Sequence, residues 1–309
     1  MSVDFAHEAL FYVGDADFVR QTAAFIADGV AAREPVLVVV AGRKIDALRD
    51  VLGREADSVL FLDMADVGLN PARIIPAWRE FVSAHEGGQT ALRGIGEPIW
   101  AERSPDELVE CQRHESLINV EFDGSGPFRL LCPYDVSALD PAVLDEARRS
   151  HPLVQADGAL RPSEDYRGTA DPVSPFETPL PPVPANAAWM ELASDRLHTA
   201  RALVERRATE LGMGRERCQD LLLAITEVCV NSLMHGRGAP LLSVWARGDI
   251  MLCQVTDAGR LLASPLIGRQ QPSVDAEGGR GLWLANQLCD LVQVRALASG
   301  TAVRLQQRV

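Results

Sequence analysis

Lysine occurs once in this 309-residue chain, at Lys44, and no G-x-x-x-x-G-K-[ST] run is present, which excludes a phosphate loop of that kind. None of the six cysteines (Cys111, Cys132, Cys218, Cys229, Cys253, Cys289) belongs to a CxxC pair or another metal-ligand spacing. In their apolar contexts they read as reduced core thiols, which points to the cytoplasm. Apolar runs such as residues 35–41 are too short to cross a bilayer, and the first residues lack the basic-then-apolar order of a signal peptide. Positive charge is scarce as well. The net charge is −13, and before Asn186 only 16 basic residues stand against 31 acidic ones. From Asn186 onward 14 arginines face 12 acids without forming a basic stripe. Neither part favours nucleic acid or an anionic membrane as a partner.

What is present divides in two. Residues 171–185, DPVSPFETPLPPVPA, hold six of the 19 prolines and no periodic apolar pattern, the composition of an extended spacer. We therefore expect a first domain over 1–159, a linker over 160–185 and a second domain over 186–309. No internal repeat is visible.

After the spacer, residues 187–212 repeat apolar residues at helical spacing and end in Gly212. A second, almost wholly apolar helical run, LLLAITEVCVNSLMHG (221–236), is interrupted by Glu227 and Asn231, four apart and so on one face. Two β-rich runs around Gly248-Asp249 read as a hairpin that ends in Asp257-Ala258-Gly259. Gly278-Gly279-Arg280-Gly281 then opens a further helix, and strands follow, the last one starting at Gly300-Thr301. The expected class is α+β, with helices on one face of a mostly antiparallel sheet.

ExxxN, Asp-x-Gly and Gly-Gly-x-Gly are weak signals singly, but their order fits one ligand. An asparagine oxygen suits Mg²⁺, which takes few protein ligands beside phosphate oxygens and water. A carboxylate one turn away can deprotonate an attacking hydroxyl. Glycines before a helix N-terminus let backbone N–H groups approach phosphate, and an aspartate at a strand end can accept from an adenine amino group. The site expected is ATP with Mg²⁺.

These motifs resemble the N, G1 and G2 boxes of the GHKL ATPase superfamily, and within it the anti-sigma-factor serine kinases of the RsbW-like branch. The resemblance implies Glu227 as catalytic base, Asn231 as Mg²⁺ ligand, and Asp257 with Thr301 around adenine. It also implies Gly259, Gly279, Gly281 and Leu282 around the phosphates. Arg280 lies where it can reach a phosphate or stand as a solvated loop arginine. His235 matches the histidine that closes the N box, in a capping or packing role, and Asp290 is implied to be structural. The family's second G1 glycine is replaced by Arg260-Leu261, which leaves kinase activity open.

In residues 5–155, strands alternate with helices, and fully apolar runs such as PVLVVVA indicate a buried parallel sheet. The expected class is a doubly wound α/β layer whose first loop, Gly14-Asp15-Ala16-Asp17, is too acidic for phosphate. Segments 7–12, 93–100 and 131–135 resemble the MEDS sensory domain. That resemblance implies a degenerate RecA-like fold that senses a small molecule. Tyr12, Asp63, Arg93, Glu97, Cys132, Tyr134 and Asp135 fall near strand C-terminal ends, where open α/β sheets bind ligands. Taken one by one, each is better explained as a turn or core residue. His7, His114 and His151 are too scattered to form a metal motif in sequence.

The combination implies a cytoplasmic regulator, a serine/threonine kinase-like anti-sigma protein whose partners are a sigma factor and a STAS-type antagonist. A homodimer is compatible with it. The alternative is an ATP-binding partner-switch protein without catalysis. A two-component histidine kinase fits less well, because His198 is followed by Thr199 rather than an acid.

Overall fold

The computed structural model describes residues 5–85, 90–156, 159–259, 264–272 and 279–309. It forms two compact units, Met1–Val173 and Ser174–Val309. Among the described residues no helix is long and apolar enough to cross a membrane.

The first unit runs β1 (Phe5–Tyr12), α1 (Gly14–Ala31), β2 (Val36–Val40), α2 (Gly42–Leu52), β3 (Val59–Asp63), α3 (Met64–Val67), α4 (Ile74–Ser83) and β4 (Leu92–Gly96). It continues with α5 (Pro105–Glu121), β5 (Phe128–Asp135), α6 (Pro141–Ser150), β6 (Leu153–Ala156) and β7 (Ala159–Pro162). The strands form a mixed sheet in the order β3-β2-β4-β5-β1-β6-β7, parallel throughout except for the last pair. β7 thus carries the sheet into the stretch read from sequence as spacer.

Side chains alternate across each strand, so each strand feeds two cores. Leu10, Tyr12, Val38, Ile95 and Leu131 pack with Phe18, Phe25, Ile45 and Leu48 of α1 and α2. On the opposite face Trp78 of α4 meets Phe128, ring centroids 6.0 Å apart. A Cβ at Gly94 would come within 2.8 Å of the same indole, so that strand position has to be glycine. Every residue of β2 is buried, as its continuous valine run requires when helices cover both faces. α5 starts at a capping box, with Ser104 and Glu107 each bonded to the other's backbone N–H and Pro105 in the first turn. The acidic residues 14–17, expected as a loop, are the first turn of α1. There Asp15 and Asp17 favour the helix dipole and occupy the place an anion would take.

The second unit contains β8 (Ala188–Glu191), α7 (Leu197–Leu211), α8 (Arg215–His235), β9 (Leu241–Arg247), β10 (Ile250–Asp257), α9 (Arg280–Leu288), β11 (Leu291–Leu297) and β12 (Gly300–Arg308). Its five strands are antiparallel, in the order β11-β12-β10-β9-β8. One face carries the core, where Val244, Cys253, Val255, Val303 and Leu305 meet Val204, Leu221, Ile225, Val228 and Ala285. Residues 188–191 differ from the helical reading. They pair with β9 as an edge strand, with Met190 half-buried against the core and Trp189 67% exposed. Over four residues an alternating strand and a helical stripe look alike, and β9 offers backbone partners that decide the outcome.

The sheet's other face is polar and still buried. Arg304 Nε and Nη2 donate to Gln254 Oε1 at 2.9 and 2.6 Å. Nη2 also reaches the Pro181 carbonyl at 2.6 Å, while Arg295 Nε reaches the Thr178 carbonyl at 3.1 Å. The proline-rich segment is therefore no free spacer over this part. Prolines leave carbonyls without competing N–H donors, and buried arginines use those carbonyls to strap the segment to the sheet.

Candidate functional site

Glu227 and Asn231 lie one turn apart on α8, facing the start of α9. Gly279 caps α9 in a left-handed conformation, φ +79°, which glycine adopts without strain. A Cβ on Gly281 would lie 2.5 Å from Asn231 Nδ2 and 3.3 Å from Glu227 Cβ. Glycine is thus what lets α9 approach the Glu-Asn face of α8. The backbone N–H groups of the first turn of α9 have no partners within the helix, so this end suits anionic oxygens. Among the described residues, neither Glu227 nor Asn231 has a hydrogen-bond or ion-pair partner, and both are only partly buried.

Asp257 ends β10 directly opposite Thr301 of β12. Its Oδ1 accepts from the Gly259 N–H at 2.7 Å, and its Oδ2 accepts from Ser232 Oγ. Thr301 Oγ1 donates to the Gly259 carbonyl at 3.0 Å, and Ala258 N–H donates to the Arg237 carbonyl at 2.9 Å. Three glycines make this enclosure possible. A Cβ on Gly236 or Gly259 would sit 2.7 Å from the Asp257 carboxyl, and one on Gly300, φ +134°, would run into the Asp257 carbonyl. Ser232, which directly follows Asn231, had no role in the sequence, and Gly236 stood there only as the residue that closes the helix.

A cavity of about 160 Å³ opens between these elements. Val228, Val255, Ile267, Leu282 and Val303 give it apolar walls, and Asn231, Ser232, Asp257 and Thr301 supply polar atoms. Gly259, Gly279 and His235 also line it. Glu227, Gly281 and Arg280 stand beside the cavity rather than in its wall, and Arg280 is the exposed first residue of α9. Asp290 accepts from Arg217 and from the Arg308 N–H, which ties α8 to the last strand. Arg260, Leu261 and Gly278 lie outside the described residues.

In the first unit the seven candidate residues do not form one site. Tyr12 and Glu97 do meet, and Lys44, which the sequence offered only as the sole lysine, joins them. Its Nζ lies 2.6 Å from Tyr12 Oη and 2.6 and 2.7 Å from the two Glu97 oxygens, and Tyr12 Oη donates to Glu97 at 2.6 Å. Burial pushes the Glu97 carboxyl above its ordinary range, with Lys44 pulling the other way. Arg93 pairs with Glu34 and donates to the Phe25 carbonyl at 2.8 Å. Asp63 caps α3, and Asp135 accepts from Ser137 and Gly14. Cys132 and Tyr134 belong to the other face of the sheet.

Comparison with known proteins agrees with this division. Residues 6–152 match the family model of the MEDS domain, the MEthanogen/methylotroph, DcmR Sensory domain. Residues 190–307 match that of the histidine kinase-like ATPase domain. The chain joins a MEDS sensory domain to a histidine kinase-like ATPase domain. Among solved structures, the RsbU and RsbW domains of Rv1364c from Mycobacterium tuberculosis align at 20% identity with a TM-score of 0.31. That alignment covers 40% of this chain and 33% of the other. No curated protein matches.

Proposed function

We propose that the ATPase domain binds ATP with Mg²⁺ and transfers phosphate to a serine or threonine of a regulatory partner, under control of the MEDS domain. The observation that carries this reading is the unengaged Glu227–Asn231 pair, set against the glycine-capped start of α9 beside a cavity where Asp257 is held by Ser232 and Gly259. The residues fit the nucleotide. Asp257 would accept from the adenine amino group within apolar walls, with Thr301 closing the strand beside it. Backbone N–H groups at Gly279, Gly281 and Leu282 would face the phosphates, with Gly259 behind the base and Arg280 within reach. Asn231 would offer Oδ1 to Mg²⁺. The bound ion supplies charge compensation on the phosphate oxygens. Glu227 would take the proton of the incoming hydroxyl.

By resemblance the partners are a sigma factor and a STAS-type antagonist. The MEDS domain would read a small molecule on a RecA-like layer without its phosphate loop, a reading that the β3-β2-β4-β5-β1 order supports. Six buried cysteines, none of them in a disulfide, support a reducing, cytoplasmic setting.

The test is calorimetry of the full-length protein with ATP, with and without Mg²⁺, followed by γ-phosphate transfer to STAS proteins recovered with it. We expect Mg²⁺-dependent binding that is lost in Asp257→Ala and Asn231→Ala. Undiminished binding in both folded variants would overturn the site, and binding without transfer to any partner would leave a passive switch.

A further inference from the structure

β1 and β5 are parallel neighbours, and the residues they turn away from α1 and α2 face α5 and the end of α6. In this buried layer four side chains from distant parts of the sequence converge. His7 Nε2 lies 3.1 Å from Glu115 Oε2 and 3.3 Å from Cys132 Sγ, and His151 Nε2 lies 3.4 Å from the same Glu115 oxygen. One donor atom from each of the four lies within 4.8 Å of all the others. His7 and His151 are 0% exposed, Glu115 and Cys132 1%.

The protons around this cluster can be placed from its hydrogen bonds. His151 Nδ1 faces the Ala147 carbonyl at 2.8 Å, so Nδ1 carries the hydrogen and Nε2 a lone pair. Asn119 Nδ2 donates to the Ser150 carbonyl at 2.7 Å and the Glu115 carbonyl at 3.2 Å. Its Oδ1 therefore accepts from His7 Nδ1 at 3.1 Å, which again leaves Nε2 with the lone pair. With both histidines as these neutral tautomers, two imidazole lone pairs, a carboxylate and a sulfur point at one another. Among the described residues, His151 Nε2 and Glu115 Oε1 are buried without any hydrogen-bond partner. Electron pairs gathered this way are costly unless a cation joins them.

The donor set indicates which cation. Two imidazole nitrogens, one thiolate and one carboxylate suit a borderline-soft divalent ion, and tetrahedral Zn²⁺ takes these ligands at about 2.0–2.3 Å. Ligand atoms of such a tetrahedron lie roughly 3.3–3.8 Å apart, the scale of the contacts here. The outer hydrogen bonds to Ala147 and Asn119 are also of the kind that orients metal-bound histidines. We propose that His7, Glu115, Cys132 and His151 form a buried tetrahedral site for a divalent transition-metal ion, Zn²⁺ fitting the donors best. The ion ties β1, α5, β5 and the end of α6 together. The site lies wholly in the first unit and is independent of the nucleotide reading.

The experiment uses the full-length protein, stripped with a chelator under denaturant and refolded with or without Co²⁺ or Zn²⁺. We expect one equivalent of ion per chain, a thiolate-to-Co²⁺ charge-transfer band with intense tetrahedral visible bands, and a raised melting temperature. Cys132→Ser should abolish the charge-transfer band, and His151→Gln should weaken binding by more than about 100-fold, the upper scale for losing an outer partner of a ligand. Cys253→Ser, in the other unit, should change neither. A folded wild type that shows no thiolate–Co²⁺ band overturns the proposal whatever the variants do. So does stoichiometric binding that persists unchanged in folded Cys132→Ser and His151→Gln.

Discussion

Gly281 stands directly against Asn231, so close that a single methyl group in its place would lie 2.5 Å from the amide nitrogen. The glycine of the second Gly-rich motif therefore fixes the distance between the start of α9 and the Glu-Asn face of α8. Gly281→Ala should force the helices apart at the site and cost about 1–3 kcal/mol of stability, as overpacking does. The larger effect should fall on the ligand. Calorimetry should show ATP affinity lower by roughly tenfold or more, since displacement of the helix end removes aligned N–H donors. A folded Ala variant with wild-type ATP affinity would show that this approach is packing alone.

The same residue shows how far the sequence could be read. Glu227, Asn231, Asp257 and Gly279 are local signals, legible because helix periodicity and glycine-before-helix patterns are properties of neighbours in the chain. What Gly281 does depends on which helix packs across it, and no local pattern carries that. Ser232 and Gly236 escaped for the same reason, since their contact with Asp257 exists only once α8 lies against the end of β10. In the first unit the alternation of strands and helices was visible, whereas His7 and Cys132 meet across 125 residues of sequence. Cys132 looked like an inert core thiol from its apolar flanks. Its strand neighbours give no hint of the two histidines, because successive side chains on a strand face opposite ways.

Lys44 leads to a prediction about stability. Its side chain and that of Glu97 are each 6% exposed, and the lysine is what lets a carboxylate stay in that layer. Lys44→Met should strand Glu97 and destabilise the first unit by about 3–5 kcal/mol, the scale for breaking one side of a buried pair. The double variant Lys44→Met/Glu97→Gln should recover most of that loss. The pH dependence has a defined sign. Burial raises the Glu97 carboxyl in the folded protein, so removal of Lys44 penalises the fold most where that carboxyl is ionised. The difference between wild type and Lys44→Met in urea unfolding should shrink toward about pH 4, near the unfolded value for glutamate. A difference independent of pH would show that the lysine acts through the Tyr12 and Phe18 rings that its ammonium group faces.

Glu227 separates a kinase from a passive binder. It lies one turn before Asn231, so both would address the same end of a bound nucleotide from one helical face, and neither is tied up by another described side chain. On the proposed reading, with the metal on Asn231, the carboxylate would reach a hydroxyl arriving from a partner and would take no part in holding the base or the phosphates. Glu227→Gln keeps the size and polarity of the side chain and removes its basicity. ATP affinity should therefore stay at the wild-type value, while phosphoryl transfer falls by roughly 10²–10⁴-fold, the usual contribution of general-base catalysis. The measurements are labelled γ-phosphate transfer to a STAS partner and calorimetry with ATP on the same preparations. Transfer by the Gln variant at the wild-type rate would leave a kinase whose base is another group. A parallel loss of ATP affinity would mean that Glu227 holds the nucleotide, and its place beside Asn231 would then be a binding role.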